Sequence, residues 1–247
     1  MKLSEVNPYT FRNLRKVLGQ REPSKVSMVD GCRADDSELC QKVVARGMLT
    51  EEQMHRAAAR YRLGKSRSGK TIFWLINEQD IIVNGHIGTS WVSQMMLARA
   101  PELAKYVTAG LCLFGLHLIG HTDFTDHTDL SKGLAAARQP KTVCVVEGEE
   151  TAVVLSELLP EYLWMAPPSY FTLDLLEPLK GRKVILFPRT DAAMEHYMAW
   201  LELADQARRA YRLDISVSDF LEEHATEGQK ARCIDVLDYL FESHRIL

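Results

Sequence analysis

None of the five cysteines in this 247-residue chain (Cys32, Cys40, Cys112, Cys144 and Cys233) forms a C-x-x-C pair, and they lie far apart. This spacing excludes a zinc knuckle and supplies no disulfide framework. Cys112 and Cys144, set in apolar runs, read as reduced, buried small hydrophobes. Charge of one sign is not in excess either. The net charge is -3 and the sequence pI about 6.3, so there is no global pull toward nucleic acid and any such contact must be local. Long hydrophobic runs are absent: the most apolar window, Ala109 to Gly120, is too short to span a bilayer and contains His117. Lys2 is followed by Ser4, Glu5 and Asn7 rather than by a signal-peptide core, so a cytoplasmic location away from membranes is expected. No internal repeat or low-complexity tract is visible.

What is present describes an ordinary globular chain, 46% hydrophobic and 26% charged, long enough for one large domain or two small ones. The first part, 1–138, reads as an α+β region. It has a helix around Tyr9 to Leu18 and another starting at Thr50, where Gln53 completes a capping box. Thr71 to Ile76 and Ile81 to Val83, separated by Asn77-Glu78-Gln79-Asp80, read as a β-hairpin. Trp91 to Ala98 looks helical, Pro101 opens a further helix, Leu111 to Ile119 is apolar enough to be buried, and Gly120 to Gln139 is the linker. From 139 to 247 the reading changes to strict alternation. Strands are expected at 143–146, 162–166, 183–187 and 213–217. Helices are expected at 151–159, 171–179, 192–211 and 228–241. That order argues for an α/β domain with a parallel sheet flanked by helices.

The strand Val143-Cys144-Val145-Val146 ends abruptly in Glu147-Gly148, which delivers a carboxylate to the carboxyl edge of the sheet, where open α/β sheets place their ligands. The strand Lys183 to Phe187 ends in Pro188-Arg189-Thr190-Asp191, which puts Asp191 near the same edge. Two acids at neighbouring strand ends suit a magnesium-dependent phosphoryl-transfer site. Both also have structural readings, Glu147 beside the amino terminus of the next helix and Asp191 as a helix N-cap.

This succession of a hydrophobic strand, Glu147-Gly148, alternating helices and strands, and an acidic motif resembles the TOPRIM domain of primases, topoisomerases and some nucleases. The resemblance covers roughly residues 140 to 247. It is nearest to primase-like proteins of bacterial mobile elements, through Thr151-Ala152 after the glutamate and through Asp235, Asp238 and Leu240 as an Asp-x-x-Asp-x-Leu element. Upstream, Tyr61 to Gly64, Ile72-Phe73-Trp74 and Leu113 to Leu118 also look like the amino-terminal part of such proteins. The resemblance implies that Glu147 is the general acid/base, and that Asp191, with Asp235 or Asp238, holds Mg2+ or Mn2+. It implies a role in DNA replication or mobilisation, with DNA and replication proteins as partners. The family's Asp-x-Asp falls on Arg189-Thr190-Asp191, so an arginine stands where a metal ligand is expected, and a guanidinium repels a cation. Arg189 can instead pair with Glu147 or grip a phosphate directly. The other reading is therefore a non-catalytic nucleic-acid-binding module on the same fold. The cysteine spacing of a primase zinc module does not occur.

Gly64-Lys65-Ser66-Arg67-Ser68-Gly69-Lys70-Thr71 matches the Walker A pattern letter for letter, which offers a third reading, a P-loop nucleotidase. The surroundings oppose it, because a helix precedes the string and a strand follows it, the reverse of what a P-loop needs. The same stretch, with the helix before it, carries Arg56, Arg60, Arg62, Lys65, Arg67 and Lys70 with Tyr61, Phe73 and Trp74 nearby, a candidate surface for single-stranded DNA. Finally, His117, His121, Asp123, Asp126, His127 and Asp129 are metal-ligand types in a cluster. They match no structural zinc spacing, and a mobile polar loop, with His117 as a core histidine, is the simpler account.

Overall fold

The structure is a computed structural model that describes residues 36–66, 68–94, 110–119 and 140–243. The helix expected at Tyr9 to Leu18, the linker after Gly120, Arg67, and His121 through Asp129 lie outside the described residues. The chain divides into two compact units, Met1–His117 and Leu118–Leu247.

In the first unit, α1 (Glu38–Ala45) and α2 (Glu51–Arg60) precede a four-stranded antiparallel sheet, β1 (Gly64–Lys65), β2 (Thr71–Ile76), β3 (Ile82–Ile87) and β4 (Ser90–Trp91), in chain order. The Thr50–Gln53 capping box forms in both directions, so α2 starts where its sequence says it must. The loop between β2 and β3 closes because the Asn77 side-chain oxygen accepts N–H bonds from Gln79 (3.0 Å) and Ile81 (2.9 Å), leaving Asp80 in a left-handed conformation. β3 runs through Asn84 and Gly85 to Ile87, past the end that Asn-Gly suggests. Here the glycine is a packing device: a Cβ at Gly85 would lie 2.7 Å from the Trp74 ring. Trp91 is the last residue of β4, opposite His86, and the helix expected from it starts one residue later, at 92–94, with 95–98 outside the described residues.

In the second unit, the four strands β5 (Val143–Val146), β6 (Leu163–Met165), β7 (Lys183–Phe187) and β8 (Asp214–Val217) form one parallel sheet in the order β6-β5-β7-β8. β5 is central and buried at every residue, which is why its sequence is a β-branched run with no alternation. The crossovers carry α3 (Glu149–Leu158) and α4 (Glu195–Tyr211), followed at the end of the chain by α5 (Phe220–His224), α6 (Glu227–Ala231) and α7 (Val236–Glu242). The expected α/β unit after an α+β region is therefore what the structure shows.

Two helices differ from expectation. Leu173–Leu179 is 3-10 rather than α, with Pro178 inside it, a residue that has no N–H to give to an α-helical ladder. The long last helix is broken into α6 and α7 by Cys233, at φ +52, and by Asp235, which starts a new capping box. Cys112 and Cys144 are buried, and that burial pushes both thiols up to about 12, with Glu78 and Glu161 respectively adding to it. Neither thiol is a nucleophile at neutral pH. Among the described residues no helix is long and apolar enough to cross a membrane.

Candidate functional site

The carboxyl edge of the parallel sheet holds an open cleft of about 370 Å³, lined by Glu147 at the end of β5, Arg189 after β7 and His196 in the first turn of α4, with Tyr170, Phe171 and Trp200 among its apolar walls. The β5–β7 register, Val146 opposite Phe187, brings the two strand ends level, so residues one and two positions further on meet. Glu147 accepts hydrogen bonds from the Arg189 backbone N–H (3.2 Å to Oε1) and from Arg189 Nε (2.5 Å to Oε2), while His196 Nδ1 lies 3.1 Å from Oε1. Both carboxylate oxygens are thus held by nitrogen donors. The glutamate side chain is 13% exposed, against 40% for Arg189 and 41% for His196, so the anion sits at the back and the two bases at the front. Of the two structural roles open to this arginine from sequence, pairing with Glu147 is formed. Glu147 does not cap α3: the N-cap is Gly148, and no side-chain cap bond is present there.

Asp191 stands beside this cluster and shares His196 with it. Its Oδ1 accepts N–H bonds from Ala193 (2.8 Å) and Glu195 (3.1 Å), and its Oδ2 from His196 (2.9 Å), at the start of α4. Burial alone would raise its pKa, but those three bonds and the nearby His196 ring outweigh burial and hold the carboxyl below its ordinary value. The N-cap of α4 is Met194, left-handed at φ +59 and without a side-chain cap bond, so Asp191 is not the expected N-cap but satisfies the first N–H groups of the helix from upstream. We expect Asp191→Ala to cost about 1 kcal/mol at pH 7, within the usual range for a lost cap. A depressed folded-state pKa gives stability that is present above the unfolded value of about 3.9 and is lost as pH falls through the folded one. Urea denaturation of wild type and variant should therefore differ at pH 7 and converge as the pH falls through the folded-state value.

Asp235 and Asp238 are likewise committed. Asp235 Oδ1 accepts the Asp238 N–H (2.9 Å), Asp238 returns a bond to the Asp235 N–H (3.5 Å), and Asp235 Oδ2 accepts the Thr151 hydroxyl of α3. The reciprocal pair is the capping box of α7, and the threonine bond ties that helix start to α3. The proposed ligands thus fall in two hydrogen-bonded settings, Glu147 and Asp191 joined through His196, and Asp235 with Asp238 at the start of α7. Among the described residues no group of three or more His, Cys, Asp or Glu is gathered as a metal ion would require. The donor set does not fit Mg2+ or Mn2+: the carboxylate at the centre already has a guanidinium in contact, and the others are held by backbone N–H groups.

The basic stretch of the first unit is less open than its sequence suggests. Arg56 pairs with Glu52 (3.1 Å), Arg62 lies 3.7 Å from Asp80, and Lys65 pairs with Asp36. Arg60 is half-buried and Lys70 exposed, while Arg67 lies outside the described residues. Trp74 is fully buried, so it cannot stack on a base, which corrects its assignment to a contact surface. The Walker-like string is a turn between antiparallel strands, with Gly64 opposite Ile72 and no helix after it. A Cβ at Gly64 would lie 2.7 Å from the Trp74 indole nitrogen, and the Thr71 hydroxyl is buried in bonds to Ser37 and the Leu39 N–H. Two letters of the motif are therefore explained by packing, and the P-loop reading falls with them. His117 is buried, with Nε2 3.1 Å from the Arg60 carbonyl, a core histidine.

His196 and Tyr170 were not visible as site residues in the sequence. His196 stands five residues after Asp191 in a helix with no motif of its own. Its only signal is its place in the first helical turn after a strand that ends at the cleft.

Among solved structures, a DnaG primase catalytic domain bound to single-stranded DNA is 13% identical over 96% of this chain and 86% of that one, with a TM-score of 0.49. A DnaG catalytic core is 15% identical over 93% and 83%, with a TM-score of 0.48. The Escherichia coli primase catalytic core is 15% identical over 96% and 83%, with a TM-score of 0.45. At these values the likenesses assign neither an activity nor a site residue to this chain. No curated protein matches it. Residues 38–190, more than half of the 247, match the family described as a domain of unknown function, DUF6371, and the chain belongs to that family.

Proposed function

We propose that the carboxyl-terminal unit is a metal-independent nucleic-acid-binding module on a primase-like frame, serving DNA replication or mobilisation of an accessory element. The observation that carries this reading is the occupation of both Glu147 oxygens by Arg189 and His196. A guanidinium held in the position of a metal ligand aims its remaining N–H donors at the sheet edge, where a backbone phosphate can accept them without an exchangeable ion. The frame and its mobile-element context rest on the resemblance carried by Glu147-Gly148, Thr151-Ala152 and Asp235-x-x-Asp238.

In the competing reading, Mg-dependent nucleotidyl transfer, Glu147 would be acid/base and Asp191, Asp235 or Asp238 ligands. It would require Arg189 to leave Glu147 and an acid to leave its helix cap. The two readings separate in one titration. The purified protein is expected to bind a single-stranded oligonucleotide equally well in EDTA and in magnesium, and to show no Mn2+ binding by electron paramagnetic resonance. Mn2+ binding by the wild type that disappears in Glu147→Gln would sink the proposal in favour of the enzyme.

A further inference from the structure

Resting on that reading, we infer that the Glu147–Arg189–His196 cleft takes an internal phosphodiester of a single strand, with a neighbouring base on Tyr170, and discriminates against nucleoside triphosphates. The first argument is the geometry of Arg189. It spends only Nε on Glu147. Among the described residues its two terminal nitrogens have no protein partner, and neither does His196 Nε2, while both side chains line the cleft and are about two-fifths exposed. An arginine anchored through Nε presents its Nη pair as a fork, which fits two oxygens of one phosphate bidentately.

The second argument is charge. Glu147 cancels Arg189, so the trio carries no more than one net positive charge, and then only with His196 protonated. Glu149, another acid, also lines the cleft. A triphosphate brings three to four negative charges and ordinarily needs a divalent ion or several cations to hold them. With two carboxylates in the lining and no metal-binding set, this cleft offsets none of the extra charges of a triphosphate, and the repulsion grows with each. A diester brings a single negative charge, so it meets the least repulsion while still using the arginine fork.

The third argument is the wall. Tyr170 is 78% exposed in the cleft lining, after Pro167, Pro168 and Ser169, while Phe171 is fixed edge-on against Trp200 at 4.8 Å. An exposed tyrosine ring at the wall of the cleft is a base-stacking platform. The volume, about 370 Å³, is at the small end for ligand sites and holds one nucleotide unit rather than a duplex.

The test is a competition assay in EDTA with a short fluorescein-labelled oligodeoxythymidylate on the full chain, with an oligouridylate in parallel to identify the strand. Unlabelled oligonucleotide should displace the probe, and dTTP at the same nucleotide concentration should not. Tyr170→Ala, which removes an exposed ring and leaves the fold alone, should weaken binding by about tenfold, the size of one stacked base. Arg189→Lys, which keeps the charge and loses the fork, should weaken it by a similar factor. Displacement by dTTP as effective as by oligonucleotide would overturn the diester preference while leaving nucleic-acid binding intact. Binding unmoved by both substitutions would place the strand elsewhere and overturn the inference. No binding of either strand by wild type would sink the underlying reading, and this inference with it.

Discussion

Trp74→Ala should destabilise the amino-terminal unit by about 3–5 kcal/mol, the range for truncating a buried aromatic residue. The indole is fully buried in the antiparallel sheet, and two glycines are shaped to it: a Cβ at Gly64 or Gly85 would approach within 2.7 Å. Truncation empties the space those glycines define, and strands of two and six residues have little freedom to collapse into it. Tyr61 stacked on Phe114 at 5.0 Å, with Phe73 edge-on to Phe114 at 5.6 Å, fixes the neighbouring aromatic layer. Urea denaturation should show the loss. Fluorescence anisotropy with single-stranded DNA, at a temperature where the variant remains folded, should show unchanged affinity. A stable variant that no longer binds DNA would return Trp74 to the contact surface from which its burial removes it.

That residue illustrates what the sequence could and could not convey. The elements were legible where one physical requirement dominates: the β-branched run of β5 demands burial on both faces, and Thr50 with Gln53 is a local hydrogen-bond exchange that depends on nothing distant. Side-chain direction was not legible for Trp74, because its sheet is buried on both faces over much of its length and alternation gives no sign. Asp235 and Asp238 show a different limit. An acid followed by another three residues later satisfies a metal face and a capping box equally well, and only the neighbouring Thr151 hydroxyl and the start of α7 decide between them. Asp191 was ambiguous for the same reason, since helix starts and ligand sites share the carboxyl edge of a parallel sheet. The Arg189–Glu147 pair was one of two options in sequence because forty-two positions separate the residues and only the β5–β7 register brings them together. His196 needed the helix phase of α4 as well, which a sequence fixes only to within a residue or two.

Arg189→Asp is the substitution that should change the site most. It exchanges the counter-ion of a carboxylate that is 13% exposed for a second carboxylate, with only the half-exposed His196 left to compensate. Breaking a fully buried pair costs about 3–5 kcal/mol. Because Arg189 is itself 40% exposed, solvent screens the change, and about 1–3 kcal/mol is the expected loss in metal-free buffer. Single-strand binding should fall by well over tenfold, since a phosphate would now face a carboxylate where it had a guanidinium fork. The same change sets a second carboxylate beside Glu147 in place of the guanidinium, and paired carboxylates are the hard oxygen ligands that a divalent ion takes. Mn2+ should therefore raise the melting temperature of Arg189→Asp, by up to about 2.7 kcal/mol of linkage at a hundredfold excess over its dissociation constant, and should leave wild type unmoved. Arg189→Ala separates the two effects, being destabilised without gaining the response to the ion. A wild-type melting temperature that rises with Mn2+ would mean that the ion displaces the guanidinium from Glu147. Arg189 would then be a gate over a working metal site rather than its replacement.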